Sequence, residues 1–301
     1  MKKLFVVLLI VLCLAGCKEE ENKLIIAEQY GLAYAPVQVM MSKGYLEEAL
    51  PDYEIEWVKL GNTMAIREAM TADALDAAFL GIPPYIIGTD SGMNWGLFTG
   101  LSRAPVSLMG REDATLETIG DGRIALPQPG SIQHILLSMA AERTFGDAKI
   151  FDNQLVTMKH PDGMQVLING NEVDYHFTSP PYVFQEAEAG MHEIISGETC
   201  FGGEYTFIVG VTSEELKNDT EAYNAISLAV EKSMEFIQNN PEEALDVLMP
   251  YYNIDREILS TYIYDSGIVY ETEIKGIETF VDFMYRNEYI KEKYEEDELI
   301  W

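Results

Sequence analysis

Glu68-Ala-Met-Thr-Ala-Asp-Ala-Leu-Asp76 runs on into Phe79 and Pro83-Pro84-Tyr85, and Val166-Leu-Ile-Asn-Gly-Asn-Glu-Val-Asp174 runs on into Phe177 and Pro180-Pro181-Tyr182. Each stretch reads as the end of a helix, a tight turn, a strand and a new helix start at Pro-Pro-Tyr. One residue fewer separates Asp from Tyr in the second copy. A repeated strand–helix unit implies a protein of two similar α/β lobes, with matching strand ends facing each other across a cleft. The competing reading is two unrelated units of one common kind.

The sequence around these copies supports the α/β class. Short β-rich runs at residues 23–28, 53–60, 75–82 and 95–101 read as strands, and so do 106–109, 123–126, 154–158, 172–178, 192–195 and 207–211. Helical spacing falls between them at 36–44, 64–72, 132–145 and 163–168. Strand–helix alternation of this kind predicts largely parallel sheets. The last third differs. Residues 222–238 place Ala225, Ile226, Ala229, Val230, Met234 and Ile237 on one helical face. Asn240-Pro241-Glu242-Glu243 starts another helix, with Pro at its first position and acids in its first turn. A third amphipathic helix is expected over 273–285, and the acidic stretch 291–298 reads as a solvated end. This helical C-terminal segment is expected to pack on the first lobe.

Composition bounds the function. The 301 residues are 48% hydrophobic and 23% charged, which excludes a disordered or collagen-like chain. Twenty Lys and Arg against 50 Asp and Glu give a net charge of −30. A general nucleic-acid binder needs a basic stripe, so no nucleic-acid partner is expected.

At the start, Lys2 and Lys3 precede an apolar run that ends in Leu14-Ala15-Gly16-Cys17. A basic start, about a dozen apolar residues and small residues at the end form an export signal, too short to span a membrane comfortably. The ending resembles a bacterial lipobox, which implies a signal peptide over 1–16, acylation of Cys17 and a polar tether over 17–22. The alternative is a plain secretory signal with a chance cysteine. With Cys13 in the signal and Cys17 lipidated, only Cys200 remains, so no internal disulfide can form. The expected location is outside the cytoplasmic membrane, with membrane contact through the lipid anchor only.

Ligands of open α/β sheets sit beyond the carboxyl ends of strands, beside helix starts. Five loops qualify. They carry Tyr30 and Gly31; Asn62 and Thr63; Ile82 and Pro83; Gln128, Gly130, Ser131 and Ile132; and Ser179 and Tyr182, with His176 on the last strand's approach. Gly130 lets a ligand approach the backbone, and the helix start at Ser131 favours an anionic group. The structural alternatives are Ser131 and Ser179 as plain helix caps, Tyr30 and Tyr182 as packing residues, and His176 as a hydrogen-bonded core histidine. Arg103 reads either as an ion pair where the chain leaves the first lobe or as a counter-charge for an acidic ligand. The four histidines show no zinc spacing, Cys200 has no activating neighbour, and neither a GxSxG motif nor a P-loop occurs. No catalytic residue, metal or cofactor is therefore expected, and the protein is not expected to be an enzyme.

In order and spacing these pieces resemble a known family. The lipobox, Ile26-Ala-Glu-Gln-Tyr30-Gly31, Glu56-Trp57-Val58, Gly61-Asn62-Thr63 and Leu75-Asp76-Ala-Ala-Phe-Leu-Gly81-Ile-Pro83-Pro84 are similar to substrate-binding proteins of ABC importers, in the nitrate/sulfonate/taurine and thiamine-precursor group. Ile124-Ala-Leu-Pro-Gln-Pro-Gly130-Ser131 and Val173-Asp174…Ser179-Pro-Pro-Tyr182 look like that family's second-lobe ligand positions. The likeness spans roughly residues 23–240, and order carries it rather than any one motif. It implies a two-lobed type II periplasmic-binding-protein fold with two hinge crossings, a small-molecule ligand and ABC permease subunits as partners. By motif, Tyr30, Asn62, Thr63, Ile82, Gln128, Ser131, Ile132 and Ser179 would line the cleft. The expected organisation is lobe one over 23–103 plus 205–301 and lobe two over 104–204, in a monomer. Where sulfonate-binding members carry Asp-Pro, this chain has Thr178-Ser179-Pro180, which argues against sulfonate or nitrate as the ligand. The cysteine-rich motif of pyrimidine-synthesising relatives is absent. The rival functions are an extracytoplasmic enzyme on the same scaffold and a sensory lipoprotein without a permease.

Overall fold

The computed structural model describes residues 22–170 and 172–301. The export signal, Cys17 and most of the tether lie outside the described residues. Asn22, the tether's last residue, is the first residue of a strand.

The ten strands are β1 (Asn22–Glu28), β2 (Tyr53–Lys59), β3 (Ala77–Leu80), β4 (Trp95–Ser102), β5 (Ser107–Gly110), β6 (Ile124–Leu126), β7 (Leu155–Thr157), β8 (Tyr175–Thr178), β9 (His192–Ser196) and β10 (Ile208–Ser213). They form two five-stranded sheets in the orders β2-β1-β3-β10-β4 and β7-β6-β8-β5-β9. All ten coincide with runs read as strands from sequence, with ends shifted by a few residues.

The expectation of largely parallel sheets needs one correction, the same in each. β10 runs antiparallel to β3 and β4, and β5 runs antiparallel to β8 and β9. Each is the strand on which the chain enters a sheet from the other one, so it arrives from the opposite end. The buried strands are near-continuous apolar runs, as sheets covered on both faces require. Every residue of β3, β5 and β6 is buried.

The two copies of the repeat do the same job in the two sheets. Asp76 and Ile25 exchange backbone and side-chain bonds: Ile25 N–H donates to Asp76 Oδ2 at 2.7 Å, and Asp76 N–H to Ile25 O at 2.9 Å. Asp174 repeats this with Arg123, at 2.9 Å for both bonds. Phe79 and Phe177 follow on the strands, each with no exposed surface.

The C-terminal helices Thr220–Asn239 and Pro241–Leu248 pack against the helix Ala35–Lys43 that follows β1. Two sequence expectations fail here. The helix expected over 273–285 starts only at Ile277 and runs to Arg286. The preceding residues are drawn into backbone pairing, with Gly100 N–H donating to Thr272 O and Thr206 N–H to Lys275 O. The stretch 291–298 is largely exposed but is not a free end. A short helix, Glu296–Leu299, buries Leu299 fully, and Trp301 N–H donates to Leu97 O at 2.8 Å. Trp301 lies flat on Gly96, where any Cβ would fall 2.1 Å from the indole.

Both passages between the sheets meet a third strap from the C-terminal segment. Arg103 and Val269 exchange backbone bonds, and Phe207 N–H donates to Ser102 O. Arg103 pairs with Glu271 at 2.5 Å and Glu204 at 3.0 Å, so it joins all three strands of the crossing. Of its two sequence readings, the ion pair is the one found.

Candidate functional site: a cavity at the strand ends of both sheets

A partly open cavity of about 40 Å³ lies where the two sheets face each other. Six parallel strands send their carboxyl ends to it. β1 contributes Gln29 and Tyr30, β2 Gly61 and Thr63, and β3 Gly81 and Pro84. From the second sheet come Ser131, Ile132 and Gln133 after β6, Lys159 and His160 after β7, and Ser179 after β8. Phe207 and Ile208 close the floor as the chain enters β10. The arrangement follows from the general rule for open α/β sheets, met twice over face to face.

Helix starts surround the cavity. Ser131 caps the helix Ile132–Phe145 by accepting from His134 N–H at 3.3 Å, which leaves the amides of Ile132 and Gln133 without an intrahelical acceptor. Asn62 caps Thr63–Thr71 through Ala65 N–H at 3.0 Å, and Gln128 Oε1 takes Met64 N–H at 3.1 Å. The first turns of Ile82–Asp90 and His160–Asn169 begin at the same place. Converging helix N-termini favour negative charge. The side chains agree. Although the chain carries 50 acids, no Asp or Glu lines the cavity among the described residues, whereas Lys159 does.

The two sides touch. Leu32 N–H donates to Pro180 O at 3.0 Å, and Met64 N–H reaches across to Gln128. Gly31 makes the first contact possible: it has φ +120°, and a Cβ there would sit 2.8 Å from Pro180 O. Tyr252 Oη fastens the Gly31 carbonyl at 3.1 Å.

Of the residues singled out from sequence, Tyr30, Thr63, Ser131, Ile132 and Ser179 line the cavity. Tyr30 stands at its edge under Lys59, whose Nζ lies 4.6 Å from the ring centre. Gly31, Asn62 and Gln128 sit one step back, engaged in the contacts and caps just described. Gly130 does not offer its amide to a ligand, because that N–H donates to His134 Nδ1 at 2.9 Å. Ile82 and Pro83 are buried in the packing behind Gly81.

His176 is wholly buried and bonds Glu186 at 2.5 Å and His160 at 3.2 Å; of its two readings, the hydrogen-bonded core histidine is the one found. Tyr182 stacks on His160, ring centres 5.9 Å apart. The main omission from the sequence reading is Lys159-His160. Residues 154–158 read as a strand in the sequence, and the strand-end rule applied to that strand finds the pair. Among the described residues, no group of three His, Cys, Asp or Glu is placed to hold a metal, and no helix is long and apolar enough to cross a membrane.

Two sheets meeting at their strand ends, joined by crossing straps and with a cavity between them, define the periplasmic-binding-protein fold. Solved structures carry the comparison. The alkanesulfonate-binding protein SsuA from Xanthomonas axonopodis pv. citri, bound to MOPS, superposes with a TM-score of 0.79 at 14% identity, over 93% of this chain and 98% of that one. The periplasmic aliphatic sulphonate binding protein SsuA from Escherichia coli gives 0.71 at 18% identity, over 93% and 92%. The periplasmic nitrate-binding protein NrtA from Synechocystis PCC 6803 gives 0.67 at 13% identity, over 89% and 81%. No protein-family model and no curated protein sequence matches the chain.

Proposed function

We propose that this protein is a solute-binding protein held outside the cytoplasmic membrane by a lipid on Cys17, and that it hands a small anionic or strongly polar molecule to an ABC importer. Lobe one comprises residues 23–103 plus 205–301, and lobe two residues 104–204. The observation that carries the reading is the cavity's lining. Strand ends from both sheets supply it, helix starts converge on it, and the one formally charged side chain in it is a lysine.

The anionic end rests on the free amides of Ile132 and Gln133, within reach of Ser131 and Ser179. Lys159 supplies charge from the rim, and Tyr30 shields the entrance. Closure adds the contacts between Gly31–Leu32 and Pro180 and between Met64 and Gln128. A ligand that favours the closed form about 10⁴-fold moves the population from roughly 1:99 to 99:1. A cavity of 40 Å³ admits a group of a few heavy atoms, so a larger solute keeps part of itself toward the entrance. Support for a transport role comes from the neighbouring structures, which are themselves sulfonate- and nitrate-binding proteins.

Native mass spectrometry of the freshly purified protein is expected to show a co-purified small molecule, lost on unfolding. Ligand-dependent melting against a panel of small anions, including alkanesulfonates, MOPS and nitrate, then ranks candidates. Ser131→Pro and Tyr30→Ala should each diminish the stabilisation by the best binder. Unchanged stabilisation in both would remove these residues from the site.

A further inference from the structure

Behind the cavity wall, four side chains form an unbroken line into the core of the second sheet. Gln133 Nε2 lies 3.1 Å from His160 Nε2, His160 Nδ1 lies 3.2 Å from His176 Nε2, and His176 Nδ1 lies 2.5 Å from Glu186 Oε1. Gln133 and His160 line the cavity, whereas His176 and Glu186 have no exposed surface. The line is closely built. Tyr182 stacks on His160, and Gly163 lets the helix His160–Asn169 lie against the His176 ring, where any Cβ would fall 2.6 Å from Nε2. Thr178 Oγ1, 3.4 Å from His160 Nδ1, can donate or accept as required.

We propose that Glu186, His176 and His160 form a proton relay that sets which end of the Gln133 amide faces the cavity, and that the relay thereby selects ligands that accept hydrogen bonds. The proposal rests on the cavity being the ligand site. Two arrangements satisfy every bond, and they differ by one proton. With the proton present, Glu186 Oε1–H donates to His176 Nδ1, His176 Nε2–H donates to His160 Nδ1, and His160 Nε2–H donates to the Gln133 oxygen. The Gln133 NH₂ group then faces the cavity. With the proton lost to solvent, every bond reverses. The Gln133 nitrogen donates to a bare His160 Nε2, His160 Nδ1–H to His176, and His176 Nδ1–H to the Glu186 carboxylate. The Gln133 oxygen then faces the cavity. The structure sets the Gln133 nitrogen against His160, the orientation of the second arrangement; turning the amide puts its oxygen in nearly the same volume, so the relay decides between the two.

The core favours the protonated arrangement. A buried carboxylate is costly without a cation or several donors. The elements packed around Glu186 carry His160 and Asp162 on the helix His160–Asn169, Tyr175 and His176 on β8, and His192 and Glu193 on β9. β5 carries no titratable side chain, and Glu186's own helix adds Tyr182 and Glu188. The helix Arg256–Tyr264 meets Glu186's helix through Tyr262, which packs on Phe184 and donates to Glu188, and its Arg256 is spent on Glu242 and Asp246; none of the other elements carries Lys or Arg. Arg111, just after β5, is spent on Leu167 O, Val173 O and Asp174. Glu186 Oε2 has no partner, which suits a neutral carboxyl better than an ion. Burial accordingly pushes Glu186 up to about 9 and His176 down to about 3, and it lowers His160 as well.

The test reads histidine tautomers and one hydrogen bond by ¹⁵N NMR in the full chain without ligand. At pH 7, His160 and His176 should both be protonated on Nε2, and both should convert to the Nδ1–H form in one step as the pH rises through about 9. A coupling across the hydrogen bond from the Gln133 side-chain nitrogen to His160 Nε2 should appear only above that step. In Glu186→Gln the end of the line no longer titrates, so neither ring should change tautomer between pH 7 and pH 10. Nδ1–H tautomers or the Gln133 coupling at pH 7 would overturn the proposal, as would separate steps or a surviving step in Glu186→Gln. If that variant does not fold, the unmodified chain still decides. Neither readout needs a ligand, so failure here is distinct from failure of the cavity to bind a solute.

Discussion

The two copies of the helix–turn–strand–helix unit share a frame and differ in what they bury. In both, an aspartate ties the strand to its neighbour and a phenylalanine enters the core. The partners diverge from there. Ala78 stands where the second copy has His176, Leu80 where it has Thr178, and Thr89 where it has Glu186. The two tyrosines part company too. Tyr85 is fully buried and its hydroxyl donates to Leu299 O at 2.7 Å, which pins the C-terminus, whereas Tyr182 covers His160 beside the cavity. One copy is built for packing, and the other carries a polar line from core to cavity. A shared backbone frame therefore says little about which half holds the chemistry, because three side chains make the difference.

The comparison can be broken at its common core first. Phe79→Ala and Phe177→Ala should each cost about 3–5 kcal/mol by urea denaturation, since both rings are fully buried. A loss in one copy without a comparable loss in the other would show that the frames are not equivalent.

The polar line gives the next largest effect, with a definite sign. Glu186 binds its proton to about pH 9 in the fold, against about 4.3 in an unfolded chain. Its stabilisation is complete below the unfolded value and is lost as pH rises toward 9, at up to about 1.4 kcal/mol per pH unit. His176, depressed to about 3 from about 6.5, acts oppositely: its contribution holds above the unfolded value and is lost as pH falls from there toward 3. Between pH 6 and 9, Glu186→Gln should flatten the fall in the urea midpoint. An unaltered slope would place the titration elsewhere.

Smaller changes sharpen the comparison. Asp76→Ala leaves Ile25 N–H in a half-buried site and should cost about 1–3 kcal/mol. Asp174→Ala should cost less, because Asp174 is exposed and water can replace it. The two caps at the cavity, Asn62 and Ser131, should each cost about 1 kcal/mol on change to Ala in thermal melts.

Much of this was legible beforehand because it follows from local periodicity. Ten β-rich runs became ten strands, and the matched Asp, Phe and Pro-Pro-Tyr positions announced two like units. What escaped the sequence reading depends on contacts far apart in the chain. Residues 273–276 look helical by their apolar spacing, but the crossing strands offer them backbone partners that a helix would forfeit. The chain end looks solvated by its charge, yet Leu299 and Trp301 dock on the first sheet. Tyr30, Thr63, Ser131, Ile132 and Ser179 were reachable by the strand-end rule, as was the overlooked Lys159-His160. The partnership of His176 with Glu186 lies on two different elements, and nothing in their spacing shows it.

The central claim is that two halves close over one solute at the strand ends. Small-angle X-ray scattering of the protein stripped of its co-purified molecule, then reloaded with it, tests this most directly. The account predicts a smaller radius of gyration on reloading, with the closing contact at Gly31 weakened and the change reduced in Gly31→Ala. Identical scattering curves for stripped and loaded protein, with the solute demonstrably bound, would contradict it.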